Sequence, residues 1–343
     1  MTGAGQARLN ARALAAEQPL MASLELTYAC NWRCVFCYNP RHHDRSPLTT
    51  GEWVALLGDL RELGILTVSL TGGEPLAHPG FLEIARAARS RGLAVRVLTN
   101  ASLVDDTRAE AIAELLPAAV EVSVHGAVPA THDAATGRPG SFAAMWAGVD
   151  RLLSRGVRVT VKTPVTRLDE REVPGMIALV RGRGLPYVLD LSITPRDDGD
   201  LSPLAFAPTE EGMRAVLSLP EYPALRAARD RKPGEPACGV GRIGLAVDPE
   251  GNVFPCVQWR HVALGNVRRT PLRQMWRGSP ARREAAETAT RATTMLLAEG
   301  GAVAAAPFCP ALAHQLSGDA LTVDGPSERR ARLAAEAREL YGS

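Results

Sequence analysis

Cys30-Asn31-Trp32-Arg33-Cys34-Val35-Phe36-Cys37 is the stretch from which the rest of the chain is read. Its three thiols have the spacing C-x3-C-x2-C and follow a strand-like run from Ser23 to Tyr28. Thiolates are the usual ligands of iron–sulfur clusters, and a cubane cluster asks for one ligand per iron. Three cysteines leave one iron of such a cluster open to a substrate or cofactor. Zinc is the alternative, since His42 and His43 follow shortly and Cys3His is a zinc set. Three buried thiols without a metal are the third possibility. On these residues alone all three stay open.

The chain has 343 residues and 46% apolar residues, enough for a large core. A net charge of +2 gives no electrostatic case for nucleic acid. Only Lys162 and Lys232 are lysines; the remaining basic residues are arginine. The N-terminus lacks the apolar core of a secretory signal, and no window is apolar for long enough to cross a bilayer. Six cysteines fall in two distant groups, Cys30, Cys34 and Cys37, then Cys238, Cys256 and Cys309. In a chain without a signal this pattern points to metal, not disulfides, and to the cytoplasm.

Residues 1–22 read as a helical lead-in. Strand-like and helical runs then alternate. Strands are expected at Ser23–Tyr28, Leu66–Leu70, Ala94–Leu98, Val120–Val124, Val157–Lys162 and Tyr187–Ile193. Helices are expected at Thr49–Leu63, Pro79–Arg91, Asp105–Leu116, Ser141–Arg155 and Glu170–Arg183. Thr49 or Thr50 is placed to cap the first of these, with Glu52 in its first turn. Such alternation implies a parallel sheet with right-handed crossovers, whose ligands sit at the carboxyl ends of the strands. The three-cysteine loop belongs to that end. So does Thr71-Gly72-Gly73-Glu74-Pro75, where two glycines permit a close backbone approach and Glu74 supplies an acceptor for a cationic amine.

C-x3-C-x2-C after the first strand, with Gly-Gly-Glu-Pro after the second, resembles the radical S-adenosylmethionine (radical SAM) superfamily from Ser23 to about Arg196. The resemblance implies an α/β fold, a partial (β/α)6 barrel. It also implies a [4Fe–4S] cluster on Cys30, Cys34 and Cys37 with SAM on the open iron. SAM would be cleaved to a 5′-deoxyadenosyl radical, with electrons from a flavodoxin- or ferredoxin-type donor. Residue by residue, Thr71, Gly72, Gly73 and Glu74 match the segment that holds the methionine amino group. Phe36 and Tyr38 flank the third cysteine, where adenine packs. Ser123 matches a contact to ribose or carboxylate, and Arg196 a partner for the SAM carboxylate. His125 stands where many relatives carry an acid. Thr99-Asn100-Ala101 resembles the family's Thr-Asn-Gly turn, with Ala101 in place of Gly. Lys162 faces the same mouth or else snorkels. Asp190, Asp197 and Asp198 face substrate or form a solvated acidic turn.

The barrel is expected over 23–205 and a linker, broken by Pro220, Pro223, Pro233 and Pro236, over 206–236. In the second cysteine group, Ile243–Val247 and Val253-Phe254 flank a turn and form a hairpin. The pattern C-x12-G-x4-C, then Leu264-Gly265-Asn266-Val267 and a helix bearing Trp276, resembles the auxiliary-cluster domains called SPASM and, in short form, Twitch. The expectation is a small C-terminal auxiliary-cluster domain over 237–326, of β-hairpin plus helix, followed by a C-terminal helix at 327–343. One auxiliary cluster on Cys238, Cys256 and Cys309 is implied. Leu312 stands where a Twitch domain has its fourth cysteine. His314 and Asp319 are candidate fourth ligands, and an iron left open to substrate is the other option.

The resemblance implies two substrate classes. One is a maturase acting on a ribosomally made peptide, by cross-linking, epimerisation or oxidation. The other is a small-molecule dehydrogenase or related oxidoreductase acting on a sugar or aminocyclitol. Only about 22 residues precede the barrel, so no N-terminal peptide-recognition domain is expected. A non-enzymatic electron carrier or zinc protein would leave the Gly-Gly-Glu-Pro turn without a role. The peptide maturase is the preferred reading, acting as a monomer without membrane or nucleic-acid partners.

Overall fold

The computed structural model describes residues 3–44 and 47–342; Met1, Thr2 and Ser343, at the ends of the expected terminal helices, lie outside the described residues. The lead-in forms α1 (Gly3–Ala15), after which β1 (Met21–Glu25) begins the sheet. The following units are α2 (Thr50–Leu63), β2 (Thr67–Thr71), α3 (Phe81–Ser90), β3 (Ala94–Thr99), α4 (Asp106–Glu114) and β4 (Ala119–Ser123). Then come α5 (Pro129–Thr136), α6 (Ser141–Leu153), β5 (Val159–Pro164), α7 (Val173–Arg181) and β6 (Tyr187–Asp190). All six strands pair in parallel in sequence order, an open α/β sheet of the partial-barrel type.

Local chemistry sets these boundaries. Thr49 caps α2 in a capping box with Glu52, and Gly64 ends it at φ 97°. Period-two alternation divides each strand. Val95, Val97, Val120 and Val122 are wholly buried among the helices. Arg96, Glu121 and Lys162 stand on the other face, where both cations pair with Glu121. One step further along the same face, Leu98, Ser123 and Pro164 reach the cavity at the strand ends. Lys162 is therefore an ion-pair partner of buried Glu121 and is not among the cavity-lining residues. The helix expected whole at Glu170–Arg183 opens instead as a short 3-10 turn at Glu170–Glu172. Pro174 has no N–H to donate, which suits it to the first turn of α7.

The second half departs most from expectation. Residues 206–236, read as a linker, contain α8 (Glu210–Leu217), whose Met213, Val216 and Leu217 belong to the main core. Thr209 caps it, and the prolines lie beyond its end. The hairpin exists as β7 (Gly244–Val247) and β8 (Asn252–Phe254), with a third short strand β9 (Gly265–Asn266). β7 pairs in parallel with β1, Met21 against Gly244 and Leu24 against Val247. The sheet is therefore continuous, nine strands in the order β6-β5-β4-β3-β2-β1-β7-β8-β9. Helices α9 (Leu272–Gly278), α10 (Pro280–Glu299), α11 (Gly301–Ala305), α12 (Pro310–Ser317) and α13 (Gly325–Tyr341) complete the chain. Ser279 caps α10, and Asp324 caps α13, which therefore begins two residues before the expected start. Leu333, Ala334 and Ala337 of α13 join the main core alongside α8.

Candidate active site

The carboxyl ends of β1 to β6 surround a cavity of about 490 Å³. Cys30, Cys34, Cys37, Phe36, Tyr38, Thr71, Gly72, Gly73, Glu74 and Ser123 all line it. Of the barrel residues expected there, Arg196 is off the wall. It pairs with Asp200 at 3.3 Å, lies close enough to Cys37 to act on its charge, and keeps a buried Nε without a partner.

The cysteine loop is held from three sides. The Cys30 N–H donates to the His42 carbonyl at 3.0 Å. Arg33 and Val35 donate their N–H groups to Thr136 and Ala135 at the end of α5. Arg33 folds back so that Nη1 donates to the carbonyls of Cys30 and Trp32. The third support is the Gly-Gly-Glu-Pro turn, where the Gly73 N–H donates to the Thr27 carbonyl at 2.7 Å and the Glu74 N–H to that of Ala29 at 2.8 Å. A Cβ on Gly72 would sit 2.4 Å from the Thr27 oxygen, and one on Gly73 would sit 2.3 Å from the Tyr28 oxygen. The two glycines thus let the turn pack on the root of the cysteine loop, a close approach of backbone to backbone.

Glu74 is 1% exposed. Its carboxylate accepts from Thr99 Oγ1 (2.7 Å), the Leu76 N–H (3.0 Å) and the Asn100 N–H (2.8 Å). An ionised carboxylate has about four lone-pair sites, so one remains, on a residue that lines the cavity. Burial pushes its pKa up to about 7 against the pull of those hydrogen bonds. Asn100 continues the chain of contacts, donating to Asn31 Oδ1 of the cysteine loop at 2.8 Å. Ala101, where the related turn has Gly, is held at φ 59°.

His125 is 3% exposed and packs edge-on against Phe36, with Trp32 and His132 beside it. Burial, with the neighbouring His132, pulls its pKa down to about 3, so the imidazole is neutral. Its unpartnered Nδ1 leaves a polar atom within an aromatic wall.

Burial pushes all three loop thiols up, Cys30 to about 12, and Cys30 and Cys37 both act on Cys34. Such thiols are inert until a bound cation stabilises their thiolates. Among the described residues no three His, Cys, Asp or Glu side chains gather tightly enough for one metal ion. The donors are soft, mutually close and set on a cavity wall, which fits a cluster larger than a single ion.

The second trio forms behind the same cavity. Cys238, Cys256 and Cys309 pack around Val240, Trp259, Ala285, Ala289 and Ala311. Burial raises all three thiols, and both Cys309 and Cys256 act on Cys238. Cys309 lines the active cavity, and so do Gln258 and Leu312. Leu312, in place of a fourth cysteine, thus lies beside Cys309 on the cavity wall. His314 lies tilted against His261, ring centroids 3.9 Å apart, with Nδ1 against the Gly318 carbonyl. Asp319 spends its oxygens on the Leu321 N–H and the Thr322 hydroxyl. Buried Arg260 ties the two halves together, pairing with Glu25 at the end of β1 and lying 3.8 Å from Asp197. No sequence motif signalled Gln258, Leu98 or the Arg260–Glu25 pair, because each depends on contacts distant along the chain.

An open parallel sheet with a three-cysteine loop at its carboxyl end, and a second thiol trio beside it, defines an iron–sulfur radical enzyme. The comparisons agree. The chain matches the Radical SAM superfamily over residues 24–180 and the SPASM iron–sulfur cluster-binding domain over 238–296. The chain belongs to the radical SAM superfamily and carries a SPASM-type domain. It is similar to the PqqA peptide cyclase of Gluconobacter oxydans (strain 621H), 29% identical over 76% of this chain and 77% of that protein. It is also similar to the AdoMet-dependent heme synthase of Methanosarcina barkeri (strain Fusaro / DSM 804), 27% identical over 75% of this chain and 82% of that protein. The fold resembles native anSMEcpe with bound AdoMet and Cp18Cys peptide, with a TM-score of 0.70, 14% identity, and coverage of 94% of this chain and 97% of that one. The cofactors of this enzyme are a [4Fe–4S] cluster, SAM and auxiliary iron–sulfur chemistry. Among the described residues no helix is long and apolar enough to cross a membrane.

Proposed function

We propose that this enzyme is a peptide maturase that removes a hydrogen atom from a residue of a ribosomally made peptide, in an oxidative modification. The observation that carries this reading is the placement of Cys309 on the wall of the same cavity as Cys30, Cys34 and Cys37. A substrate there stands between both thiol groups. The similarity to PqqA peptide cyclases, which act on a peptide by name, favours a peptide as occupant.

In this reading Cys30, Cys34 and Cys37 hold the SAM-binding cluster, and Cys238, Cys256 and Cys309 hold an auxiliary one. When bound, the cluster and SAM would supply the radical chemistry that removes a hydrogen from a substrate in this cavity. The chain's own residues bind, orient and exclude water. Phe36, Tyr38 and neutral His125 form a wall for adenine. The free lone pair of Glu74 and the Thr71–Gly73 backbone receive the methionine amino group. Ser123 hydrogen-bonds the ribose or carboxylate, and Arg196 supplies a cation beside Cys37. Leu98, Ile193 and Leu312 keep the reacting region apolar, which protects a radical from side reactions. A flavodoxin- or ferredoxin-type protein is the proposed electron donor, and a monomer the proposed state.

The similarity to a heme synthase favours a second reading, a small-molecule substrate in the same cavity. Candidate peptides encoded beside the gene, deuterated at each residue in turn, discriminate between the two. Deuterium appearing in 5′-deoxyadenosine supports the maturase. Label transferred only from a deuterated tetrapyrrole or sugar overturns it.

A further inference from the structure

A second cavity of about 370 Å³ adjoins the first, within the range of about 300–1,000 Å³ usual for ligand sites. Ser192, Ile193, Cys309 and Leu312 line both, so the two share a wall. The second lies between the end of β6, α8 and the start of α13. Its lining is mostly apolar, including Leu191, Leu204, Met213 and Phe308.

One cation is set into this apolar lining. Arg330, on the first turns of α13, is half-buried, and its Nη1 donates to Ser192 Oγ at 2.7 Å, at the wall shared by the two cavities. Among the described residues it has no ion-pair partner. The two acids whose charges reach it hold other donors: Asp324 caps α13 through the Ser327 N–H and hydroxyl, and Asp190 accepts from the Ser192 N–H. Arg329, on the same rim, lies 3.5 Å from Glu210. Burial pulls the Arg330 guanidinium below its ordinary pKa, although the charges of Asp190 and Asp324 pull the other way. A guanidinium fork in such a place is matched by a carboxylate, and the apolar lining by an aliphatic or aromatic side chain.

We propose that this second cavity is the specificity pocket for the peptide: it takes an apolar residue next to a carboxylate, and Arg330 pairs with that carboxylate. The inference rests on the maturase reading above. The residue to be modified then lies in the first cavity, and its neighbour anchors it from the second. The carboxylate comes from an acidic side chain or from the end of the peptide.

The test is calorimetric titration of the reconstituted, SAM-loaded enzyme with three probes. These are N-acetyl-Ala-Leu-Glu-Ala-amide, the same peptide with Gln for Glu, and N-acetyl-Ala-Ala-Ala-Leu with a free C-terminus. At least one carboxylate peptide is expected to bind about tenfold or more tightly than the Gln peptide, the scale of a desolvated charge pair. Which of the two does so assigns the source of the carboxylate. R330Q is expected to erase the difference, while R330K, which keeps the charge, retains part of it. A207W, which fills the pocket, weakens all three peptides. Equal affinity for the Glu, Gln and free-acid peptides, undiminished discrimination in R330Q, or no binding of any peptide would overturn the proposal. SAM cleavage by the same wild-type sample separates the two claims. Cleavage without discrimination sinks the pocket, the deuterium-transfer assay decides the maturase reading apart from it, and no cleavage sinks the enzymatic reading beneath both.

Discussion

Glu74 illustrates how a motif residue acts at the level of single atoms. From the sequence it was an acceptor for an incoming amine. In the structure it is first a structural hub, binding the β3 turn and its own 3-10 turn, with one lone pair left over. Glu74→Gln puts an amide donor where donors already point. A buried donor or acceptor left unmatched costs about 1–3 kcal/mol. We expect a lower Tm in E74Q and a weaker SAM affinity, read by thermal denaturation and by equilibrium binding. An unchanged Tm would show that the hub is not stressed. The glycines beside it were legible as a close approach, but not as an approach of the turn to residues 27–29. That contact is long-range and has no local pattern. Arg196 was legible as a cation at a strand end, yet its side chain turns to Asp200, which sequence spacing alone does not fix.

At the scale of elements, the βα alternation was legible because period-two and helical patterns are local properties. Caps at Thr49 and Asp105 and glycine stops such as Gly64 fixed several ends. α8 was hidden by the prolines after it, although Thr209 followed by Glu210 and Glu211 is a readable N-terminal signal. The turn that leads into α7 carries a titration of its own. Asp169 is wholly buried, accepts from the Thr166 N–H at 2.7 Å, and leaves Oδ2 unpartnered. Burial, with Glu172 and Glu170 nearby, pushes its pKa up to about 7. The folded protein therefore holds this proton more tightly than the unfolded chain does. Its contribution to stability is complete below about pH 4 and is lost as pH rises through about 7. Asp169→Asn keeps the acceptor for Thr166 and removes the titration. The stability of D169N relative to wild type should rise between pH 5 and pH 8, by at most about 1.4 kcal/mol per pH unit. Denaturant melts at several pH values check this, and parallel pH profiles would contradict it.

For the whole molecule, the sequence divided the chain into barrel, linker and auxiliary domain. The fold instead joins them through one sheet. β7 covers the edge of β1, and α8 and α13 close over the core from the far side. Strand pairing across more than two hundred residues leaves no local trace, so this continuity was not legible. It bears on the site, since the β7–β8 hairpin holds Cys238 and Cys256 against the barrel, and Cys309, which packs with them at the start of α12, lies on the cavity wall. A chain cut after residue 236 would expose the β1 edge and remove Arg260, the partner of Glu25. An unpaired strand edge is a template for association with another chain. The fragment should lack a cooperative melt and should aggregate, as seen by circular dichroism and size exclusion. A folded monomeric fragment would show that the halves are independent. Iron and sulfide should each approach about eight per chain in the reconstituted protein, falling to about four in the Cys30/Cys34/Cys37→Ala variant. A wild-type content near four would contradict the auxiliary cluster. The most direct test of the central claim is product analysis of the reconstituted enzyme with SAM and dithionite. The account predicts 5′-deoxyadenosine and methionine, both absent in the triple cysteine variant; no 5′-deoxyadenosine above a no-enzyme control would contradict it.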